Sequence, residues 1–227
     1  MSKLVLFDID GTLIDAGRAG RRALNKALHD LCGVSDGFRG VDFAGRTDLQ
    51  IMRDGLRRLG LSTTDGLLPL LTRLYLARLR EEVSVAPGKI GVGVMELLRN
   101  MRDKGHIALG LLTGNLEQGA RIKLEPFGLN PFFPFGSFGS DHEDRNQLLP
   151  IAVRRLYKLE GISVSFRECV VIGDTPLDVE CAHLHGSPCI AVATGPYTVE
   201  ELTRTGADLV LPDLSATSYI LEWIDAT

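Results

Sequence analysis

Cysteine and tryptophan are scarce in this chain, and a net positive charge and long apolar runs are lacking. Its four cysteines form no CxxC pair, so we expect them to be reduced and mostly buried. The net charge of -4 offers no footprint for nucleic acid or an anionic membrane. No apolar stretch approaches the length of a membrane span, and the first run meets Asp8 too early for a signal peptide. These absences predict a cytosolic protein whose partners are neither nucleic acid nor membrane.

What remains is the composition of an ordinary globular protein. Hydrophobic residues make up 44% of the chain and charged residues 24%. With 227 residues, the chain is long enough for one large domain or for a core domain with a smaller companion.

The most informative stretch is the first apolar run and the acidic residues that follow it. Leu4 to Phe7 have no polar alternation, which is typical of a strand buried on both faces of a parallel sheet. Asp8 and Asp10 follow at the carboxyl end of that strand, where α/β sheets bind ligands. Two carboxylates so close together would repel each other unless a cation were bound, and Mg²⁺ suits such oxygen ligands.

The next part of the chain is helical. Three apolar stripes at helical spacing occur between residues 16 and 85 without a strand between them. Pro87 and Gly88 then mark a return linker. We therefore expect a helical cap domain at residues 16–85, inserted into a core domain formed by residues 1–15 and 86–227.

Beyond residue 86, strands and helices alternate. Strands are predicted at 107–112, 169–172, 189–193 and 209–211, with a weak one at 131–138, and helical patterns fill the segments between them. This alternation predicts an α/β fold with a three-layer parallel sheet.

Three of the predicted strands end in polar residues that suit phosphoryl transfer. Asp8 is the candidate nucleophile, and Asp10 is the candidate acid and base. Thr113 and the amides after it form a candidate anion site, because they precede a helix. Asp174 supplies a further carboxylate for Mg²⁺, and Asp178, one helical turn later, would hold the waters of that ion or orient Asp174.

Arg145 is predicted to supply the positive charge of this site. An Arg at this place would offset the charge on the phosphoryl oxygens. Lys123, Arg154 and Lys158 remain alternatives.

These motifs resemble those of the haloacid dehalogenase superfamily, in its phosphoglycolate phosphatase-like branch. The resemblance rests on the segments at 8–12, 112–115 and 173–178, on Arg145, and on a helical insertion after the first motif, and it covers essentially the whole chain. It implies a Rossmann-like core with a helical cap, Mg²⁺ dependence and hydrolysis of a small phosphate ester.

The resemblance also implies the role of each site residue. Asp8, the backbone carbonyl of Asp10 and Asp174 would hold the metal, with Asp178 behind them. The phosphate would be bound by Thr113, Gly114, Asn115 and Arg145. The superfamily usually has Lys where this chain has Arg145, so that residue is assigned by position. A cap loop that contacts substrate falls near Arg46, although a solvated surface Arg fits the sequence equally well.

The sequence therefore predicts a Mg²⁺-dependent phosphatase that acts through an aspartyl phosphate on a small phosphorylated metabolite. Phosphoglycolate is the favoured candidate, and the protein is expected to be a monomer or a homodimer. One alternative is a sugar phosphomutase of the same superfamily, although those relatives carry a His early in the cap, where this chain has Ala19, Gly20 and Arg21. A second alternative is a non-catalytic protein that binds phosphate esters.

Overall fold

The computed structural model describes residues 2–63 and 66–227. Met1, Thr64 and Asp65, which the predicted domain ranges include, lie outside the described residues.

The described elements follow the predicted order. The strands are β1 (Lys3–Phe7), β2 (Ile14–Asp15), β3 (Lys89–Ile90), β4 (Ile107–Thr113), β5 (Phe135–Phe138), β6 (Cys169–Gly173), β7 (Cys189–Val192) and β8 (Leu209–Leu211). The helices are α1 (Ala19–Cys32), α2 (Asp48–Arg58), α3 (Leu67–Val85), α4 (Val94–Asp103), α5 (Glu117–Leu124), α6 (Leu148–Glu160), α7 (Pro176–His183), α8 (Val199–Thr203) and α9 (Thr217–Ala226).

Six strands form one sheet in the order β5-β4-β1-β6-β7-β8, and every neighbouring pair is parallel. The predicted α/β class and Rossmann-like sheet are therefore confirmed. β1 lies in the middle, with Phe7 opposite Leu111 on one side and Ile172 on the other. This register brings the carboxyl ends of β1, β4 and β6 to one edge of the sheet.

Each face of the sheet has its own apolar core. Val5 and Phe7 of β1 point to the face covered by α4 and α9, whereas Leu4 and Leu6 point to the face covered by α6 and α7. The period of two along a strand explains this division, because alternate side chains leave on opposite faces. Burial on both faces accounts for the unbroken apolar run in the sequence.

The helices α1, α2 and α3 lie between β2 and β3 and share a separate apolar cluster. Leu116 and Ile122, at and within α5, join that cluster, so α5 is the core helix that faces the three inserted helices. The helical character of this insertion is as predicted, whereas the domain boundaries stay a prediction.

A short antiparallel ladder joins the two ends of the insertion. Ile14 pairs with Ile90, and Asp15 pairs with Lys89. The sequence analysis did not predict this ladder, since two-residue strands leave no periodic pattern.

Cys169, Cys181 and Cys189 are buried and Cys32 is exposed, and all four are free thiols. The expectation of mostly buried cysteines is thus confirmed, whereas their reduced state stays a prediction. None of the helices in the described ranges is long and apolar enough to cross a membrane.

Gly93, which precedes α4, offers a test of the core packing. Its φ is +78°, and an added Cβ would lie 2.2 Å from the backbone of Leu214. Gly93→Ala should therefore lower the free energy of unfolding by about 2–4 kcal/mol, from overpacking and left-handed strain together. Chemical denaturation measures this. Gly105→Ala is the matched control, because a Cβ there meets no atom within 4 Å; equal losses in the two variants would contradict this packing.

Candidate active site

The predicted site residues meet at the carboxyl edge of the sheet. Asp8 directly follows β1, and its N–H donates to the carbonyl oxygen of Ile172 at 2.9 Å. Asp174 directly follows β6, and Thr113 is the last residue of β4. The parallel register therefore brings together side chains that are 61 to 166 residues apart in the chain.

Three buried carboxylates form a cluster at this edge. Asp8, Asp174 and Asp178 each offer an oxygen, and these atoms lie within 4.8 Å of one another. Hard divalent cations bind such oxygens, and a buried carboxylate cluster is stabilised by a bound cation. The donor set of this cluster therefore fits a divalent metal ion.

Two glycines leave the space that Asp174 occupies. A Cβ at Gly11 would lie 2.3 Å from Oδ2 of Asp174, and one at Gly195 would lie 1.7 Å from the same atom. Thr12 donates to the other oxygen, Oδ1, at 3.2 Å. The neighbouring loops thus hold Asp174 at the sheet edge and leave no room for larger residues.

Burial changes the protonation of the cluster. It raises the pKa of Asp8 to about 6, against the lowering effect of the Arg145 guanidinium. Burial, together with the carboxylates of Asp8 and Asp178, raises the pKa of Asp174 well above its usual value. A bound cation would oppose both shifts, because it favours the charged carboxylates.

Arg145 is the cation beside this cluster. Its guanidinium lies 3.2 Å from Oδ1 of Asp8, also pairs with Asp178, and donates to the carbonyl oxygen of Gly45 at 2.9 Å. Burial alone would lower the pKa of Arg145, but the carboxylates of Asp178 and Asp8 raise it overall, so the guanidinium stays charged. Among the four candidate cations, Arg145 is the one placed against Asp8, whereas Arg154 and Lys158 are exposed on α6.

Asp178 is held by contacts on both oxygens. Oδ1 accepts from Arg145, and Oδ2 accepts from the N–H of Thr175 at 3.0 Å and from its hydroxyl at 2.8 Å. The pair of Thr175 and Asp178 is also the capping box that begins α7. Asp178 therefore fixes the position of Arg145 and the start of α7 together.

The segment after β4 forms a side-chain network. The carboxamide of Asn115 donates through Nδ2 to Thr113 Oγ1 at 2.8 Å and to Asp10 Oδ2 at 2.8 Å. The sequence analysis placed Asn115 with the phosphate, whereas in the structure its side chain is bonded to Asp10. Thr113 is fully buried beside it.

Lys123, named from the sequence only as an alternative to Arg145, lies in the site beside Asp10. Its ammonium lies 2.6 Å from Oδ2 of Asp10 and 2.6 Å from Oδ1 of Asn115, and the residue is 5% exposed. Burial alone would lower its pKa, but the carboxylates of Asp10 and Asp48 raise it overall. A lysine among the apolar residues Ala120, Ile122 and Leu124 of α5 was the only signal, and its partners lie too far away in the sequence to be inferred.

The loop before α2 docks onto the core. Asp48 N–H donates to the carbonyl oxygen of Gly114 at 2.8 Å, and Leu116 N–H donates to Oδ2 of Asp48 at 2.9 Å. Thr47 donates to the carbonyl oxygen of Glu143 at 2.8 Å. A Cβ at Gly114 would lie 2.2 Å from the carbonyl oxygen of Arg46, so the docking requires glycine there.

Between this loop and the sheet edge lies an open cavity of about 580 Å³. The predicted site residues that line it are Asp8, Asp10, Arg46, Thr113, Gly114, Asn115, Arg145 and Asp174. Asp178 is bonded to Arg145 and does not line the cavity, and its predicted supporting role toward Asp174 stays a prediction. The side chain of Arg46 pairs with Asp54 at 2.7 Å, so an anionic substrate would have to compete with Asp54 for this guanidinium.

The parallel α/β fold, with a carboxylate cluster at the carboxyl edge of its sheet, is typical of enzymes that bind ligands at that edge. The chain belongs to the haloacid dehalogenase-like hydrolases, since the family model matches residues 2–186. It is 29% identical to a phosphoglycolate phosphatase from Rhodospirillum rubrum, with 95% of this chain and 89% of that protein covered. The predicted phosphoglycolate phosphatase-like branch and the phosphatase class are thereby confirmed.

Solved structures agree on the fold. A hydrolase from Pseudomonas syringae has a TM-score of 0.73 at 23% identity, covering 99% of both chains. CbbY from Rhodobacter sphaeroides in complex with phosphate has a TM-score of 0.74 at 19% identity, covering 95% of this chain and 96% of that one.

Asp48 generates a pH prediction. Burial raises its pKa to about 6, so its contribution to stability is present below about pH 4 and lost as the pH rises through 6. Asp48→Asn keeps an acceptor for Leu116 N–H without the charge. The difference in free energy of unfolding, variant minus wild type, should therefore rise by up to about 3 kcal/mol between pH 4 and pH 7, because only wild type loses stability when Asp48 ionises. Urea denaturation in metal-free buffer measures the difference, and a pH-independent value would contradict the prediction.

Proposed function

We propose that this protein is a Mg²⁺-dependent phosphatase that hydrolyses a small-molecule phosphate monoester through an aspartyl phosphate on Asp8. The observation that carries the proposal is the position of Asp8. Its carboxylate follows the central strand, lines the cavity, belongs to the cluster with Asp174 and Asp178, and lies 3.2 Å from Arg145. A nucleophilic carboxylate needs neighbouring positive charge, because the phosphoryl group that it attacks is negatively charged. Arg145 supplies one positive charge beside Asp8, and a metal ion held by the carboxylate cluster would supply more.

The metal would be held by Asp8, Asp174 and the backbone carbonyl of Asp10. When bound, Mg²⁺ would neutralise charge on the phosphoryl oxygens and orient the ester. Asp178 is bonded to Arg145 and Thr175, so it orients the surroundings of the metal. Mg²⁺ is favoured over softer metals because the cluster offers oxygen ligands only.

In the first step, a carboxylate oxygen of Asp8 attacks phosphorus, and the bond from phosphorus to the leaving oxygen breaks. Asp10 donates its proton to that leaving oxygen, so the product departs as an alcohol. Arg145 lies 3.2 Å from Asp8, where its guanidinium can donate hydrogen bonds to the phosphoryl oxygens during the transfer.

In the second step, a water molecule attacks the same phosphorus. Asp10, now a carboxylate, takes a proton from that water, and the bond from Asp8 to phosphorus breaks to release inorganic phosphate. Asp10 thereby regains the proton it gave in the first step, and the cycle closes without any other reactant.

The phosphoryl group would be bound by the Thr113 hydroxyl, the backbone of Gly114 and Asn115, and Arg145. The segment from Thr113 to Asn115 precedes α5, so its amides lie close to a helix N-terminus, which favours anions. The Asn115 side chain is used for Asp10, so its part in phosphate binding would come from the backbone.

The substrate is proposed to be a small anionic ester. Arg18, Arg21 and Arg46 line the cavity on the side of the inserted helices, so a second negative group on the ester would be favoured there. Phosphoglycolate is the favoured candidate, in line with the relative from Rhodospirillum rubrum. Cytosolic location and a monomeric or homodimeric state stay predictions.

Removal of the nucleophile tests the proposal. Asp8→Asn should lower the rate of p-nitrophenyl phosphate and phosphoglycolate hydrolysis with Mg²⁺ at least about 1,000-fold, because no aspartyl phosphate forms. Asp103→Asn, at the exposed end of α4, is the control and should keep wild-type rates. Turnover that survives in Asp8→Asn would refute the mechanism, and ester binding by wild type without any turnover would favour the non-catalytic alternative.

Metal dependence is tested at Asp174. Asp174→Asn removes one carboxylate of the cluster, so the Mg²⁺ concentration for half-maximal activity should rise at least about 10-fold. Isothermal titration with Mg²⁺ should show the same weakening without substrate, and EDTA should abolish wild-type turnover. Wild-type activity that is unaffected by EDTA would exclude the metal role.

A further inference from the structure

We propose that Lys123 is a positioning residue, which together with Asn115 holds the carboxylate of Asp10 in place for proton transfer to the leaving group. The inference rests on the proposed function, because it concerns the acid of that reaction. It gives Lys123 a role separate from that of Arg145.

The first argument is the geometry around Asp10. Lys123 Nζ at 2.6 Å and Asn115 Nδ2 at 2.8 Å both donate to the same oxygen, Oδ2. A carboxylate that is fixed through one oxygen can turn neither about its Cβ–Cγ bond nor away from the cavity without breaking both bonds. Oδ1 is then the oxygen that carries the proton toward the leaving group.

The second argument is the orientation of Asn115. Its Oδ1 accepts from Lys123 at 2.6 Å, while its Nδ2 donates to Asp10 and to Thr113 Oγ1. The reversed carboxamide would present N–H groups to an ammonium and an oxygen to a carboxylate, both unfavourable. Lys123 therefore determines the orientation of the amide that supports Asp10.

Burial of the Lys123 ammonium costs desolvation free energy, which also points to a role beyond packing. Lys123 is 5% exposed on α5, where Ala120, Ile122 and Leu124 are also buried and are apolar. An apolar residue would pack there without desolvating a charge, so the fold alone does not require a lysine. The side chain of Asp10 is 41% exposed and would be free to move if these two donors were absent.

The two buried cations of the site thus have different partners. Arg145 pairs with Asp8 and Asp178, on the side of the nucleophile. Lys123 pairs with Asp10, on the side of the acid. A misplaced Asp10 carboxylate should slow the reaction only for esters whose leaving group needs a proton. The rates of two esters with different leaving groups can therefore test the role of Lys123.

The test compares two leaving groups in Lys123→Met. p-Nitrophenolate leaves without a proton, whereas an alkoxide does not, so phosphoglycolate, or the fastest alkyl phosphate in a metabolite screen, is the second substrate. In a two-step reaction, kcat/KM covers only the steps up to the release of the first product, where the acid acts. We expect kcat/KM to fall about 100-fold for the alkyl ester and less than about 10-fold for p-nitrophenyl phosphate.

Two reference variants frame the result. Asp10→Asn should show the same preference for the good leaving group, to a larger extent. Lys158→Met replaces an exposed lysine of α6 and should leave both substrates at wild-type rates. Equal losses for the two esters in Lys123→Met, or no loss in either, would overturn the positioning role.

A second measurement needs no turnover. In a double-mutant cycle of unfolding with Lys123→Met and Asp10→Ala, the two changes should be non-additive, because they remove the same contact. Lys123→Gln replaces Lys123→Met if the latter does not fold. Additive effects would show that the pair does not exist and would overturn the inference. Absence of phosphatase activity in the wild type, with a non-additive cycle, would overturn the proposed function while keeping the contact.

Discussion

The compensation of negative charge at one edge of the sheet is the constraint on which this structure depends. Asp8, Asp174 and Asp178 are brought within 4.8 Å by parallel strands that cannot separate without loss of the core. Buried carboxylates at such distances are unfavourable unless they are paired. Arg145 supplies one positive charge from the protein, and a bound divalent cation would offset the negative charge that remains on the three carboxylates.

Close approach at this edge also depends on residues without side chains. Gly11 and Gly195 flank Asp174, and a Cβ at Gly173 would lie 2.1 Å from Cγ of Asp178. On the side of the inserted helices, a Cβ at Gly45 would lie 2.4 Å from Oγ1 of Thr175, and Gly114 contacts the backbone of Arg46. The loops thus approach the carboxylates so closely that a side chain at any of these glycines would have to displace its neighbours.

The sequence was sufficient where the signal is local. An unbroken apolar run followed by Asp8, and a second one followed by Asp174, predicted buried strands with acids at their ends, and the alternation of strands and helices predicted the parallel sheet. Arg145 could be assigned only by its position in a motif. The partners of Lys123 and Asp48 could not be predicted, because Lys123 meets Asp10 across 113 residues and Asp48 meets Leu116 across 68. Such contacts depend on how the inserted helices dock, and no periodic pattern records that docking.

These unpredicted contacts meet on one helix, which relates enclosure of the cavity to chemistry. The N–H of Leu116, at the start of α5, donates to Asp48 of the inserted helices, and Lys123, two turns later, donates to Asp10 of the core. Because a helix is stiff over two turns, α5 keeps its contact with Asp48 and the ammonium of Lys123 at a fixed separation. Under the proposed function, the element that fixes one wall of the cavity would therefore also fix the orientation of the acid, and both would depend on the packing of α5.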